Sequence, residues 1–346
     1  MRSPSTVLVT GVSRFVGGNM AARLAADPSI ERVLGVDTVP PRRDLLRRMG
    51  RAEFVRADIR NPLIAKVIAT AKVDTVVHAA VSAASRGAGG HSTMKEMNVI
   101  GTMQLLAACQ KSASVSRFVV KSTSAVYGAT PRDPAMFTER SEPRAFGSSG
   151  YAKDAVEIEG YVRGFARRRD DVAVTVLRFS NLIGPRIETV LTRYFALPVV
   201  PTVLGYDARV QLLHEEDALA VLERATKEHL PGVFNVGGDG VLLLSQAVRR
   251  AGRIPVPVPE RAVSTIAALF RSTRFVDFSP EQTRFLSFGR VLDTTALRTE
   301  FGFTPRWTTA QAFDDYVRGR GLRPTIDPGL VAAAERRILG LAARLH

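Results

Sequence analysis

The 346-residue chain has little cysteine, lysine or aromatic side chain, and each shortage excludes a class of protein. Its single cysteine, Cys109, excludes a disulfide framework and a cysteine-based zinc module, and favours a reducing compartment. Lysine supplies only 7 of the 48 basic residues, so the net charge of +15 comes from arginine. Aromatic residues make up 7% of the chain and rarely lie among the arginines, so no stacking platform for nucleic-acid bases is indicated.

Long hydrophobic runs are also missing. The most apolar stretches, residues 76–83 and 172–177, are far shorter than the roughly 20 residues of a membrane-spanning helix. The N-terminus does not have a signal-peptide pattern, because residues 7–9 run directly into a glycine-rich turn. We therefore expect a cytoplasmic globular protein without a membrane span.

The positive charge has two interpretations. The arginines are spread along the chain rather than gathered in a tail or a stripe, as they are on an arginine-rich, solvated surface. The same charge could also attract acidic ligands such as nucleotides or phosphates. Neither interpretation requires nucleic acid, and we expect no nucleic-acid partner.

Short β-branched runs alternate with helical patterns through the first two-thirds of the chain, which is typical of βαβ units around a parallel sheet. The predicted strands are residues 6–10, 32–36, 52–56, 73–78, 117–122, 172–179 and 232–236. The predicted helices are residues 15–26, 45–49, 64–70, 94–112 and 151–168. These elements predict an α/β, doubly wound parallel sheet, whose ligands bind at the carboxyl ends of the strands.

The regular alternation fades near residue 181. We expect a nucleotide-binding domain over residues 1–180 with a returning strand near 210–240, and a small substrate lobe with a C-terminal tail over residues 181–346. Residues 263–270 are apolar with basic flanks, and residues 330–345 are amphipathic and basic. For both segments, packing on the body or on a second subunit competes with peripheral contact to a membrane surface.

A strand end, a glycine turn and a helix start follow one another at residues 9–17. Gly11 permits the tight turn and Gly17 lets the helix approach the sheet, so backbone N–H groups can hold a pyrophosphate. Asp37 stands twenty residues after Gly17 and directly follows the second strand. A carboxylate there binds ribose hydroxyls and repels a 2′-phosphate, which favours NAD over NADP. Arg42 and Arg43 follow closely, and an arginine there can bind a 2′-phosphate, so NADP remains an alternative.

With these motifs, the chain resembles the extended short-chain dehydrogenase/reductase family, in its NAD-dependent epimerase/dehydratase branch. The matching positions are, in chain order, residues 10–17, Asp58, Ile59, His78, Ala79, Ala80, Asn98, residues 122–128, Arg178, Asn181, Gly184, Pro185, His214, Asp217 and residues 235–237. The resemblance implies a Rossmann-type sheet with a small substrate lobe, NAD as cofactor and a homodimer paired through helices 94–112 and 151–168. It implies cofactor contacts from Gly11, Ser13, Arg14, Phe15, Val16, Gly17, Asp37, Asp58, Ile59, Ala79, Ala80, Asn98, Ser122, Tyr151 and Phe179.

Arg14 departs from the family's turn, which has a glycine at this position. That glycine lets the backbone lie close to the pyrophosphate. Arg14 fits if its backbone angles are ordinary and its guanidinium swings over the phosphates, where charge-assisted hydrogen bonds would form. The alternative is an arginine that faces solvent and merely narrows the pocket.

The catalytic tyrosine–lysine pair of the family is incomplete here. In the family a tyrosine exchanges a proton with a substrate hydroxyl, and a lysine four residues later binds the nicotinamide ribose and lowers the tyrosine pKa. If Tyr151 is that tyrosine, Ala155 occupies the lysine position and Glu159 also matches. If Lys153 is that lysine, Ser149 occupies the tyrosine position, and a serine is a far weaker acid than a phenol. We favour the first register, in which Lys153 substitutes only if the helix begins late or irregularly.

Other positions that match the family point less directly to a function. Thr123 matches the serine or threonine that hydrogen-bonds the reacting hydroxyl, and Asn181 resembles a substrate-phosphate contact, although an asparagine in a turn is also common. His214 and Asp217 are expected to be structural. Val210 replaces an arginine that lies near nucleotide-sugar phosphates in the family. The histidines show no metal-ligand spacing, and we expect no metal.

Three hypotheses follow. The first is an NAD-dependent epimerase/dehydratase-like oxidoreductase acting on a hydroxylated, anionic small molecule, with nucleotide sugars as candidates. The second is a non-catalytic NAD-binding sensor or scaffold, which explains the incomplete pair but not the retained Tyr151. The third, nucleic-acid binding, rests on net charge alone. Fold does not decide between them, because this fold hosts many activities.

Overall fold

Strands and helices alternate through the residues that the computed structural model describes, which are 4–81, 95–144, 150–259 and 280–325. The first elements are β1 Thr6–Thr10, α1 Phe15–Ala26, β2 Arg32–Asp37, α2 Arg43–Arg48, β3 Glu53–Arg56, α3 Ile64–Thr70, β4 Thr75–His78, a π-helical turn Glu96–Ile100, α4 Gly101–Lys111, β5 Arg117–Thr123, α5 Tyr151–Arg168 and β6 Ala173–Phe179. They continue with β7 Asn181–Ile183, α6 Val190–Ala196, β8 Val199–Val203, β9 Arg209–Val210, β10 Leu212–His214, α7 Glu215–Lys227, β11 Gly232–Val236, β12 Leu242–Leu243, α8 Leu244–Arg250, β13 Ile254–Val258, α9 Pro280–Phe288, β14 Gly289–Arg290, α10 Thr295–Thr299 and α11 Thr309–Gly319.

Seven of the strands form one parallel sheet in the order β11-β6-β5-β4-β1-β2-β3. Val9 of β1 pairs with Gly35 on one side and with Val77 on the other. The strand order reverses between β1 and β4, and doubly wound sheets bind ligands in the crevice at that point. The predicted α/β doubly wound fold is confirmed, and the ends of the predicted sheet strands shift by at most two residues.

Alternating side chains of the sheet supply two separate cores. Val119 of β5 packs in a cluster with residues of α1 and α7, whereas Phe118 and Val120 pack with α4 and α5 on the other face. All five residues of β1 are buried, as expected for a strand covered on both sides. Each such aliphatic side chain contributes about 1.5–3 kcal/mol to folding, so the cores fix the positions of the strand ends.

Residues after 180 add small sheets and a third core. β10 pairs with β7, β13 pairs with β8, and β9 lies between β12 and β14. Phe195 and Phe313 meet edge to face at 4.9 Å inside this core. The two segments considered for membrane contact, 263–270 and 330–345, lie outside the described residues. Within the described ranges no helix combines the length and apolar character needed to cross a membrane.

Candidate active site

The glycine turn after β1 packs directly against the end of β4. Gly11 has a φ of +74°, and a Cβ atom there would lie 2.7 Å from the Cα atom of Ala80. A Cβ atom on Gly17 would collide with the carbonyl oxygen of Gly11. Only glycine fits at both places, and α1 therefore begins at Phe15 with its first N–H groups at the crevice, where helices bind anions.

Asp37 ends β2 at the mouth of this turn. One of its carboxylate oxygens accepts a hydrogen bond from the Ser13 N–H at 3.0 Å, and the other accepts one from the Thr38 N–H at 2.8 Å. The structure thus brings the two halves of the predicted nucleotide motif together. Arg42 lies outward, with its side chain 83% exposed and 3.6 Å from Asp44.

Asp58 and Ile59 follow β3 near the adenine side of the predicted cofactor path. Asp58 forms an ion pair with Arg60 at 2.6 Å, and the hydrogen bonds from Arg60 lower the pKa of the Asp58 carboxyl. Ile59 is buried, and a Cβ atom on Gly101 would lie 2.9 Å from its side chain. Phe179, at the end of β6, is also buried in the core on the α1 side.

His78, at the end of β4, is part of a buried hydrogen-bond chain. Its Nδ1 lies 2.8 Å from the Thr10 hydroxyl, and its Nε2 lies 2.9 Å from the Thr102 hydroxyl. The Thr102 hydroxyl donates to the carbonyl oxygen of Asn98 at 2.5 Å, so it accepts from Nε2–H, and Nδ1 accepts from Thr10. Burial, with the nearby charge of Lys121, lowers the pKa of His78 to about 3. The imidazole is therefore neutral and holds β1, β4 and α4 together.

Several matched family positions form one buried network behind the crevice. Arg178 binds Glu159 through Nε at 3.0 Å and through Nη2 at 2.6 Å. Its Nη1 donates to the Tyr127 hydroxyl at 2.8 Å, and that hydroxyl donates to Asn235 at 2.7 Å. The Ser122 hydroxyl donates to Glu159 at 2.6 Å. These contacts join β5, β6, β11 and α5, so in the structure these landmarks hold the frame of the site.

Tyr151 and Thr123, the predicted proton-exchanging pair, are brought together at the carboxyl end of β5. Tyr151 is the first residue of α5, and its side chain hydrogen-bonds that of Thr123. Burial raises the pKa of Tyr151 to about 12; the bond with Thr123 and the charge of Arg14 oppose this rise, and the charge of Glu281 adds to it. At neutral pH the phenol is protonated in the unliganded site.

The lysine position on α5 is closed by packing. Ala155 is 1% exposed and belongs to an apolar cluster with Val126, Tyr127, Phe137 and Leu292. The helix is regular from Tyr151 onward, so Lys153 lies about 200° around its axis from Tyr151. Lys153 could take the place of the family lysine only if helix α5 began late or irregularly, and it does not. Ser149, from the alternative register, lies outside the described residues.

Arg14 turns toward the crevice. Its backbone angles are φ −103° and ψ 163°, which is ordinary extended geometry, so a non-glycine residue fits without strain. Its positive charge lowers the pKa values of both Lys121 and Tyr151, which places the guanidinium on the site side of the turn.

The structure adds two cations that were not identified from the sequence. Lys121 of β5 donates from Nζ to the Val81 carbonyl oxygen at 2.8 Å, and burial, with the charge of Arg14, lowers its pKa to about 8. Arg290 of β14 donates to the Gly128 carbonyl oxygen at 2.7 Å, and burial lowers its pKa to about 10. Strand alternation could have revealed Lys121, because it lies two residues before Thr123.

His214 and Asp217 fasten the 306–315 segment to α7. His214 stacks on Trp307 with ring centroids 4.3 Å apart, and its Nε2 lies 3.2 Å from Asp315. Asp217 accepts the N–H groups of Arg306 and Trp307, each at 3.0 Å. Their described contacts are structural, as expected. Asn181 lies on β7, half-buried, and pairs with Leu212 in register.

Comparison with known proteins places this geometry in a family. Residues 7–237 match the NAD-dependent epimerase/dehydratase family. An uncharacterized protein of Mycobacterium tuberculosis is 58% identical over 341 residues, which cover 99% of this chain and 91% of that protein. A trifunctional UDP-glucose 4,6-dehydratase/UDP-4-keto-6-deoxy-D-glucose 3,5-epimerase/UDP-4-keto-L-rhamnose-reductase of Arabidopsis thaliana is 25% identical over 248 residues, which cover 68% of this chain and 37% of the plant protein.

Solved structures share the fold. The Bordetella bronchiseptica enzyme WbmG, in complex with NAD and UDP, has a TM-score of 0.68 at 20% identity and covers 93% of this chain and 95% of its own. DesIV, a dTDP-glucose 4,6-dehydratase of Streptomyces venezuelae, has a TM-score of 0.68 at 23% identity, with 91% and 96% covered. The family match spans the glycine turn, the Thr123–Tyr151 pair and all seven strands of the parallel sheet. The chain belongs to the NAD-dependent epimerase/dehydratase family.

Proposed function

We propose that the chain binds NAD(H) and acts as an epimerase/dehydratase-type oxidoreductase on a hydroxylated small molecule. The observation that carries the proposal is the hydrogen-bonded pair Tyr151–Thr123 at the same sheet edge as the glycine turn and Asp37. A group that exchanges protons and a nucleotide-binding turn thus face one crevice, at the switch point of the sheet.

Each residue has a distinct role in this proposal. The N–H groups at the start of α1 hold the pyrophosphate, and Asp37 binds the adenosine ribose hydroxyls. The bound cofactor would supply the hydride acceptor or donor. Tyr151 exchanges the proton of the substrate hydroxyl, and Thr123 orients that hydroxyl. Because burial raises the pKa of Tyr151 to about 12, the phenol holds its proton at pH 7, and proton exchange with the substrate requires a nearby positive charge that stabilises the phenolate.

Calorimetry tests the cofactor. We expect NAD(H) to bind more tightly than NADP(H), because a 2′-phosphate would meet the Asp37 carboxylate. Asp37→Asn should narrow that difference, while Asp44→Asn, which removes an exposed carboxylate of α2, should leave it unchanged. Absence of binding by either cofactor would refute the assignment.

Turnover tests the proton-exchanging residue. Once a substrate is found, Tyr151→Phe should abolish turnover and leave NAD(H) affinity within a few-fold, because the phenol acts on the substrate. Full activity of this variant would place the chemistry on other residues.

A second candidate function, a non-catalytic NAD-binding sensor or scaffold, is favoured by one observation. Ala155 is packed in an apolar cluster, so α5 has no lysine beside the nicotinamide ribose position that the family pattern defines. Turnover distinguishes the two functions. An oxidoreductase and a sensor would both bind NAD(H), but a sensor would produce no turnover with any nucleotide sugar.

The substrate class and the assembly are further parts of the proposal. WbmG binds UDP, which supports a nucleotide sugar or another anionic molecule, and Arg290 is a cation beside the Ser124–Tyr127 turn that could meet it. A groove of about 450 Å³ between α4 and α5, lined by Met103, Leu106 and Tyr161 among others, supports a homodimer through these helices. We also propose a cytoplasmic location, and a division near residue 180 into cofactor-binding and substrate-binding parts.

A further inference from the structure

Lys121 is one of seven lysines in the chain, and it lies near the carboxyl end of β5. It is two residues before Thr123 on β5, so the two side chains project from the same face, with their backbones roughly 7 Å apart. Its ammonium group reaches across to the segment that follows the neighbouring strand β4 and donates to the Val81 carbonyl oxygen at 2.8 Å. This contact holds a positive charge over the carboxyl ends of β4 and β5, beside the switch point between β4 and β1.

The surroundings of this ammonium group are positive or neutral. Arg14 contributes a second positive charge from the glycine turn, and His78, on the neighbouring strand, is neutral. Among the described residues no carboxylate pairs with Lys121, and the Val81 carbonyl occupies one of its three N–H donors. A partly buried cation whose other two donors meet no acceptor among the described residues fits a ligand that presents oxygen acceptors.

We propose that Lys121 binds the hydroxyls of the nicotinamide-side ribose, and so provides from strand β5 the cation that helix α5 lacks. This inference rests on the NAD(H) binding proposed above. The pyrophosphate would lie at the glycine turn beside Arg14, and the reacting groups would lie at Thr123 and Tyr151. The Lys121 ammonium is held at Val81, just after β4, and β4 lies between β1, which leads into the glycine turn, and β5, which ends at Thr123.

Helix α5 cannot supply this cation from the positions that the sequence offers. Ala155 has no charge and is enclosed by apolar side chains. Lys153 lies about 200° around the helix from Tyr151. The flexible four-carbon stem of lysine, in contrast, lets Lys121 place its charge beyond the strand on which it is carried.

The experiment uses three ligands that differ by one piece each: NADH, ADP-ribose and ADP. Calorimetry on the full chain should show that Lys121→Met binds NADH and ADP-ribose about tenfold to a hundredfold more weakly, as expected for loss of a hydrogen bond from a charged group. ADP lacks the second ribose, and its affinity should stay within twofold. Lys66→Met, which removes an exposed lysine of α3, is the matched control and should change none of the three.

The outcomes separate this inference from the cofactor proposal. If the unchanged protein binds none of the three ligands, the proposed function fails and the inference fails with it. If it binds them and Lys121→Met has no effect, or weakens ADP equally, Lys121 does not bind the second ribose. A loss seen with Lys153→Met instead would also overturn the inference. Lys121→Gln keeps a donor to Val81 but lacks the charge, and it should also bind NADH more weakly. This second variant tests the inference if Lys121→Met does not fold.

Discussion

The buried network around Arg178 and the crevice at the ends of β1, β4 and β5 share strand β5, yet they relate to the family differently. In the network, Arg178, Tyr127 and Asn235 all match the family, and the Tyr127 hydroxyl accepts from Arg178 and donates to Asn235. At the crevice, Arg14 replaces a glycine, and on the adjoining helix α5 the buried Ala155 replaces a lysine. The family residues that match most completely hold the frame, and the departures fall where a ligand would bind.

A physical difference accounts for this contrast. Removing one member of a buried ionic network leaves its partner charged and without a hydrogen bond, so each member constrains the others. A crevice residue contacts solvent or ligand, and a cation lost from one element can be replaced by a cation from another. Arg14 and Lys121 bring positive charge to the sheet edge beside α5, which has an alanine where the family has a lysine.

The largest effect is expected in the network. Arg178→Met should lower the free energy of unfolding by about 3–5 kcal/mol, because Glu159 would stay buried without its partner. Arg163→Met is the control, since Arg163 lies 3.9 Å from the same carboxylate but is 47% exposed; its loss should be within about 1 kcal/mol. Urea denaturation measures both, and equal losses would show that the network does not hold the frame.

The next effect tests whether the lysine position can be refilled. Ala155→Lys should lower the free energy of unfolding by about 3 kcal/mol, because the side chain would be both too large and charged inside an apolar cluster. Ala155→Met adds bulk without charge, and its loss should be about 1–2 kcal/mol. If Ala155→Lys instead keeps its stability and gains oxidoreductase activity, the lysine position is accessible, and the family site is disabled only because the lysine is missing.

The sequence predicted the frame well because its signals are local. The apolar runs and glycine turns marked the seven strands of the parallel sheet, and the bounds of α1, α3 and α5 agree with those predicted. The predicted helix 94–112 is a π-helical turn followed by α4, since a change in hydrogen-bond register leaves no mark on hydrophobic periodicity. The short strands β9, β12 and β14 depend on long-range pairing and were not predicted.

The sequence indicated which side chains lie near one another better than it indicated which way each of them turns. Tyr151 and Thr123 are in contact, because Thr123 ends β5 and α5 begins beside it at Tyr151. Ser122, an expected cofactor contact, donates its hydroxyl to Glu159, and sequence order alone does not show which way a side chain turns. Lys121 was missed because its neighbours Val81 and Arg14 come from distant parts of the chain.

A smaller effect, dependent on pH, should come from His78, which ends β4 at the crevice. Burial lowers its pKa from the ordinary value of 6.5 to about 3 in the folded protein, so its contribution to stability is present above pH 6.5 and is lost as the pH falls toward 3. The slope is at most about 1.4 kcal/mol per pH unit. His78→Asn should reduce the loss of unfolding free energy between pH 6 and pH 4 relative to the unchanged protein. Identical slopes would mean that His78 titrates normally in the folded state.

The smallest effect separates the two crevice cations. Arg14 lies at the start of α1 and Lys121 at the end of β5, so we expect Arg14→Met to weaken ADP, ADP-ribose and NADH alike, by about tenfold, through loss of a charge-assisted contact to the pyrophosphate. The unfolding free energy should change by less than about 0.5 kcal/mol, because Arg14 has ordinary backbone angles and is only partly buried. The dependence of ADP affinity on salt should also become shallower. If ADP affinity is unchanged, Arg14 does not contact the pyrophosphate and only narrows the pocket. Of the two cations, Lys121 alone would then bind the cofactor.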